Sequence, residues 1–290
     1  MARIAVVGVG AIGGAVAGLL ETTGQHEILL CTRRPLDALT VKTPEGAVRV
    51  KARNLTDPAK AEPVDWVMIA TKTYDAEGAA AWLPGLAANG AAVAIVQNGV
   101  EHRERFASWV PQERIVPVVI DCPVERQKDG EVIQRGVARM TVENGKLGPA
   151  FAGLFKGSRA EMEVTADWKS AAWRKLCVNA AGALNAIALK PAGIFANEAV
   201  ARVAMGMVEE CAAVGRAEGA RLEGNVAEQV VGGYRGQPRD SVNSLLADRI
   251  AGRRMEIDAR NGVIVRLGEK HGIPTPLNRM AVAVLTAAAE

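Results

Sequence analysis

A run of small and β-branched residues, Ile4-Ala-Val-Val7 after Arg3, breaks directly into Gly8-Val-Gly-Ala-Ile-Gly-Gly14. Few local patterns restrict a fold as strongly. Gly8, Gly10 and Gly13 fit G-x-G-x-x-G, and each glycine has its own reason. The first turns the chain sharply out of a strand. The second removes a Cβ where a pyrophosphate would approach, and the third lets the next helix pack close to the sheet. Ile4–Val7 reads as a buried parallel strand and Ala11–Leu20 as a helix. The helix start offers unpaired N–H groups and a positive dipole end to phosphate oxygens. Gly8, Gly10, Ala11, Ile12 and Gly13 are therefore candidate dinucleotide contacts; the competing reading is an ordinary strand–helix turn.

Glu27–Cys31 reads as the second strand, closing a β-α-β unit. A site for NAD usually places Asp or Glu after this strand to accept from the ribose 2′-hydroxyl. This chain has Thr32-Arg33-Arg34. A guanidinium suits a 2′-phosphate through charge-assisted, often bidentate bonds. The expected cofactor is NADPH/NADP+, with Arg33 on the phosphate; two solvated arginines in a loop are the alternative.

Composition narrows the classes. The net charge of +3, dispersed along the chain, argues against nucleic acid or an anionic membrane as partner. No apolar run approaches a bilayer-spanning length, and the first residues lack a signal-type basic region and cleavage site. Cys31, Cys122, Cys177 and Cys211 are widely spaced and the chain has 3 histidines, so no zinc pattern is present. Reduced thiols and a cytoplasmic location are expected.

Further along, residues 35–63 look polar and irregular, with one short strand near Val48–Ala52. Asp65–Ala70 reads as a strand running into Thr71-Lys72-Thr73, and Tyr74–Ala88 as an alanine-rich helix. Ala91–Val96 is a strand followed by Gln97-Asn98-Gly99, and Ile115–Ile120 completes a Rossmann-like sheet. Ligands of such sheets bind at the carboxyl ends of the strands. That places Lys72 and Asn98 at a cofactor or substrate cleft, against the readings of an exposed lysine and an Asn-Gly turn. Short β segments around Lys128-Asp-Gly130, Val137–Val142 and Met162–Thr165 look like antiparallel additions to the sheet edge, with Asn144-Gly145 as a turn.

From Asp167 strand signals vanish. Residues 168–189, 196–218, 223–234, 241–250, 254–271 and 276–288 read as helices, with Ala199, Val203, Met207, Cys211 and Val214 on one face. The expected architecture is α/β: an N-terminal Rossmann-like doubly wound sheet over 1–166, then an all-helical domain over 167–290. The apolar C-terminal helices are candidates for a homodimer interface. In the helix Trp173-Arg-Lys-Leu-Cys-Val-Asn179, Lys175 and Asn179 share a face that Gly182 and Ala183 continue with small residues, leaving room beside it. It reads either as a cleft wall or as an edge with a snorkelling lysine. Glu256 stands at the start of a predicted helix, where a carboxylate can simply serve the dipole.

The blocks Gly8-Val-Gly-Ala-Ile-Gly-Gly14, Lys72, Gln97-Asn-Gly99, Trp173-Arg-Lys-Leu-Cys-Val-Asn179, Ser244, Glu256-Ile-Asp…Asn261-Gly and Gly268-Glu-Lys-His-Gly-Ile-Pro-Thr-Pro276 occur in that order. Together they resemble ketopantoate reductases (2-dehydropantoate 2-reductases) along essentially the whole chain. The resemblance implies an NADPH-dependent reduction of a small 2-keto acid to a 2-hydroxy acid, in pantothenate biosynthesis. By that pattern Lys175 is the general acid, and Glu256 holds the substrate hydroxyl and orients the lysine. Asn179, Ser244 and Asn98 contact substrate, while Lys72 and Asn98 border the nicotinamide. One position departs from the pattern: Ala183 stands where the family usually has a second asparagine. Asn185, roughly a third of a turn from Asn179, replaces it poorly unless the helix is irregular. The departure admits a D-2-hydroxyacid dehydrogenase of the same family with a branched or aromatic substrate. A non-catalytic NADPH-sensing protein is the reading from another class.

Overall fold

The structure, a computed structural model, describes residues 1–127 and 130–289. They form two compact units, Met1–Gln97 with Glu101–Trp168, and Asn98–Val100 with Lys169 onward. The first is α/β: β1 Ala2–Val7, α1 Ala11–Thr23, β2 His26–Cys31, β3 Leu39–Thr43, β4 Gly46–Val50, β5 Ala52–Leu55, β6 Trp66–Ile69, α2 Ala76–Ala80, α3 Leu83–Leu86, β7 Ala92–Ile95, α4 His102–Phe106, β8 Ile115–Asp121, β9 Val124–Arg126, β10 Glu131–Gln134, β11 Arg139–Glu143, α5 Gly148–Gly153 and β12 Glu161–Thr165. In the second, all regular structure is helical among the described residues: α6 Trp168–Ala181, α7 Ala183–Ala188, α8 Glu198–Ala217, α9 Val226–Arg235, α10 Ser244–Ile250, α11 Val263–His271 and α12 Pro276–Ala287. A π turn, Asp258–Gly262, leads into α11.

The main sheet has 8 strands in the order β12-β11-β8-β7-β6-β1-β2-β5. From β5 to β8 every pairing is parallel, which is the Rossmann order. Strand periodicity decides the two faces. Ile4 and Val6 enter one apolar cluster with Val16, Leu20 and Met68. Ala5 and Val7 enter the other with Leu29, Val67 and Leu86. The order in which strands are added reverses between β1 and β6, which themselves run parallel, so the carboxyl ends of these two strands form the switch point where Rossmann sheets take their ligands.

A second sheet, β4-β3-β10-β9, packs on α1. A Cβ added at Gly14 would lie 2.6 Å from Val132, and one at Gly18 would lie 2.7 Å from Val41. These glycines therefore let β10 and β3 close on the helix. The irregular stretch expected over 35–63 is thus replaced by β3, β4 and β5. Local polarity hid them, because β3 gains its second neighbour only when β10 arrives, its paired residues 91 positions downstream. The strand expected at Val48–Ala52 straddles the break between β4 and β5.

Other expectations shift as well. The single helix expected over Tyr74–Ala88 is split into α2 and α3, the second with Pro84 in its first turn. Beyond Ile115–Ile120 the sheet continues through β11, antiparallel to β8 as expected, and β12, which is parallel to β11. Around Lys128-Asp-Gly130, of which residues 128 and 129 lie outside the described residues, the flanking β9 and β10 pair antiparallel as expected, but in the second sheet and not on the edge of the main one. On α8, Ala199 is exposed and Val203 half-buried, while Met207, Cys211 and Val214 are buried as expected, together with Ala201, Ala204, Val208 and Ala212. The predicted 168–189 helix breaks at Gly182. The helix expected from residue 254 begins only after Ile257, so Glu256 sits in a non-helical segment with Met255 and is buried rather than placed on a helix dipole.

Candidate active site

In the first unit, the carboxyl ends of β1, β2, β6 and β7 are tied together by short-range chemistry. Gly8 has φ +91°, and a Cβ there would lie 2.6 Å from Thr71 Cγ2 and 2.7 Å from its amide nitrogen. A Cβ on Gly13 would lie 2.1 Å from the Gly8 carbonyl oxygen. The protein's own packing demands both glycines. Gly10 differs, since a Cβ there would meet nothing within 4 Å. Its openness suits the close approach of a ligand backbone at the start of α1, with Ala11 and Ile12 half-buried beside it.

Thr71 is held from the other side by Gln97, whose Nε2 donates to the Thr71 carbonyl and to its Oγ1, both at 3.0 Å. The Gln97 carbonyl accepts from His102 Nε2 at 2.9 Å, which places a proton on that nitrogen because a carbonyl only accepts. Burial, reinforced by Arg105, pushes the His102 pKa down to about 3. Lys72 follows Thr71, half-buried, as the residue preceding a 3-10 turn.

Arg33 projects from the turn after β2 with its side chain 90% exposed, its Nη1 3.8 Å from Asp75 Oδ2. The turn itself is rigid. Asn54 of β5 donates to the Leu30 carbonyl at 2.9 Å and to Thr32 Oγ1 at 2.8 Å, and it accepts from the Leu36 amide at 2.9 Å. The backbone is thus fixed, while the guanidinium stays exposed to solvent beside Asp75. Arg126 of β9 donates to the Val9 carbonyl inside the glycine turn. Sequence reasoning missed Asn54 and Arg126, because both act across long sequence separations with no local signal.

In the second unit, α6 presents Lys175, half-buried, and Asn179 one turn later, 9% exposed. The Gln97-Asn98-Gly99 block divides between the units, and Asn98 Nδ2 donates to Glu256 Oε2 at 3.0 Å. Ser244 opens α10 and is exposed. Asn243 before it caps the helix by accepting from the Leu246 amide at 2.9 Å. A buried guanidinium, Arg260, joins two predicted substrate positions, with Nη2 donating to the Asn179 carbonyl at 3.0 Å and Nη1 to Ser244 Oγ at 3.4 Å. Burial pushes its pKa down, opposed by Tyr234, Glu256 and Asp248.

Gly182 and Ala183 do not leave the room expected beside Lys175 and Asn179. A Cβ at Gly182 would lie 2.5 Å from Tyr234 Oη, 2.9 Å from Asn243 Nδ2 and 3.2 Å from Arg260 Nη2. Ala183 is fully buried. The helix is irregular here, yet Asn185 does not stand in for a second substrate asparagine. Its amide donates to the Lys190 carbonyl and its Oδ1 accepts from Asn243, both at 2.9 Å.

These features define a Rossmann-type α/β oxidoreductase with a helical second unit. Residues 4–146 match the family Ketopantoate reductase PanE/ApbA, and residues 167–289 match Ketopantoate reductase PanE/ApbA C terminal. The chain belongs to the ketopantoate reductase family. It is 50% identical to a 2-dehydropantoate 2-reductase of Caulobacter vibrioides over 289 residues, covering 100% of both chains. A crystal structure of a PanE/ApbA family ketopantoate reductase from Ralstonia eutropha JMP134 is 33% identical, with a TM-score of 0.90 over 99% of this chain and 98% of that one. D-mandelate dehydrogenase with NADH and anilino(oxo)acetate, 22% identical, has a TM-score of 0.88 over 99% of this chain and 98% of that one; that likeness concerns the fold alone.

Proposed function

We propose that this enzyme reduces 2-dehydropantoate to (R)-pantoate with NADPH. The observation that carries the reading is the Asn98–Glu256 hydrogen bond, which pairs two predicted site residues in a chain half-identical throughout to an enzyme of that name. The open space at Gly10 and the exposed Arg33 fit a phosphorylated dinucleotide. Gly8, Gly10, Ala11, Ile12 and Gly13 would hold its pyrophosphate, Arg33 its 2′-phosphate, and Lys72 and Asn98 the nicotinamide side. When bound, a nicotinamide cofactor supplies the hydride.

The chain supplies the rest. Lys175 donates a proton from Nζ to the carbonyl oxygen of the substrate, and its charge stabilises the alkoxide that develops there. Glu256 accepts from the substrate hydroxyl and orients the lysine. Asn98 occupies one carboxylate oxygen of Glu256, so the remaining lone pairs have a defined direction. Asn179 and Ser244 bind the substrate, with Ser244 on its carboxylate.

Ala183 favours a second reading, another branched or aromatic 2-keto acid, because a missing amide changes which substrate hydrogen bonds go unmade. Turnover of 2-dehydropantoate, 2-ketoisovalerate and phenylpyruvate, each with NADPH and with NADH, tests both readings. Preference for 2-dehydropantoate with NADPH is expected. Negligible activity on it beside good activity on another keto acid would transfer the assignment to the second reading, and cofactor binding without any turnover would leave only a sensor.

A further inference from the structure

Arg260 is 2% exposed and heads the largest fully buried side chains of the protein. Its two hydrogen bonds go to neutral oxygens, the Asn179 carbonyl and Ser244 Oγ, and its Nε is buried without a partner. Glu256 and Asp248 act on it only at longer range; desolvating a charge with no carboxylate among its hydrogen-bond partners is expensive, and an apolar residue of similar volume would fill the same space more cheaply. Tight packing nevertheless makes way for it. Gly182 has no Cβ where one would crowd Arg260 Nη2, Tyr234 Oη and Asn243 Nδ2. Arg260 is therefore to be explained by what it does to its neighbours.

The donor inventory gives the direction. Arginine has five N–H donors and no acceptor, so its bond to Ser244 must use a lone pair of Oγ. The single Ser244 hydroxyl proton is then left to donate elsewhere, and Ser244 is exposed. A carboxylate only accepts. A chain from guanidinium to hydroxyl to carboxylate has every donor facing an acceptor, and each bond polarises the next. The same guanidinium grips the backbone of Asn179, so α6 and α10 share one anchor.

We infer that Arg260 is the positioning residue for the substrate carboxylate: it commits the Ser244 hydroxyl to donation and places a buried positive charge behind it. This rests on the reading that the second unit takes an anionic 2-keto acid. The test is steady-state kinetics on the full-length enzyme with Arg260→Gln, Arg260→Lys, Ser244→Ala and the Arg260→Gln/Ser244→Ala double variant. Arg260→Gln should raise KM for the keto acid about tenfold or more, with a smaller change in kcat and an unchanged KM for NADPH. The double variant should be little worse than Ser244→Ala alone, because one residue acts through the other. Arg260→Lys, which keeps the charge, should recover part of the loss. It also carries the test if the glutamine variant does not fold, by the same non-additivity with Ser244→Ala. A keto-acid KM at the wild-type value, a loss confined to kcat, or fully additive effects would each overturn the inference while leaving the proposed reaction standing. A wild-type enzyme that turns over no 2-keto acid would remove both.

Discussion

Asn98 Nδ2 and Glu256 Oε2 lie 3.0 Å apart, joining residues 158 positions apart in the chain. Glu256 is 5% exposed, so this bond satisfies part of a carboxylate that water hardly reaches. On the proposed contact of Glu256 with the substrate hydroxyl and its orienting of Lys175, Glu256→Gln should lower kcat/KM by about two decades or more, within the range of general acid–base and orienting groups. Asn98→Ala should cost about tenfold, the scale of one hydrogen bond to a charged group. Steady-state kinetics on both variants checks this, and a Glu256→Gln enzyme of wild-type efficiency would remove the residue from the site.

Lys175→Ala should reduce kcat by about two to four decades. NADPH affinity, measured by fluorescence titration, should stay within about threefold, because the proposed proton donor would make its contact with substrate. Substantial residual kcat would mean that another group delivers the proton.

Arg33→Ala should raise KM for NADPH by about one to two decades, the loss of a charged hydrogen bond worth roughly 1.5–3 kcal/mol. KM for NADH should not change. Since the side chain is 90% exposed, thermal stability should not change either. An unaltered NADPH KM would make Arg33 a solvated loop residue.

Gly182→Ala drives a methyl group to within 2.5 Å of Tyr234 Oη. Tyr234 donates to the Val178 carbonyl at 3.0 Å and Asn243 to the Gly182 carbonyl at 2.9 Å, so neither can retreat without losing a bond. Overpacking of this kind costs about 1–3 kcal/mol. Urea denaturation should show that loss together with a raised keto-acid KM.

His102 predicts a pH dependence of stability. Unfolded, its ring titrates near 6.5; folded, burial holds it down to about 3. Between these values the unfolded chain carries the extra proton. Stability therefore falls as pH drops below about 6.5, by up to about 1.4 kcal/mol per pH unit from this group, and is unaffected by it above that pH. His102→Gln, which can still donate to the Gln97 carbonyl, should flatten the slope between pH 6.5 and 4.5 in denaturant titrations. Equal slopes would show that His102 does not set the acid limit.

Much of the first unit was legible because its signals are local. The strand that breaks into Gly8, the helix after it and the basic turn at Arg33 each lie within a few residues of the backbone they govern. The order of the parallel strands follows from the βαβ rule. Sequence failed over 35–63, where β3 is stabilised by β10, and around Glu256, where the apolar spacing of Met255, Ala259 and Val263 imitates a helix that begins only at Asp258. It also misread Gly182 as open space, since a small residue signals equally a cavity and a crowded contact.

By itself, then, the sequence determined the two-part architecture and the glycine turn, and it supplied the candidate site residues. Tertiary structure alone decided which of them act together: Asn98 on Glu256, Gln97 on Thr71, Asn54 behind Arg33, and Arg260 between Asn179 and Ser244. The reason is one of range. Periodicity and turn chemistry are written over a handful of neighbouring residues, whereas a buried hydrogen bond is chosen by which donors and acceptors the completed core leaves without water.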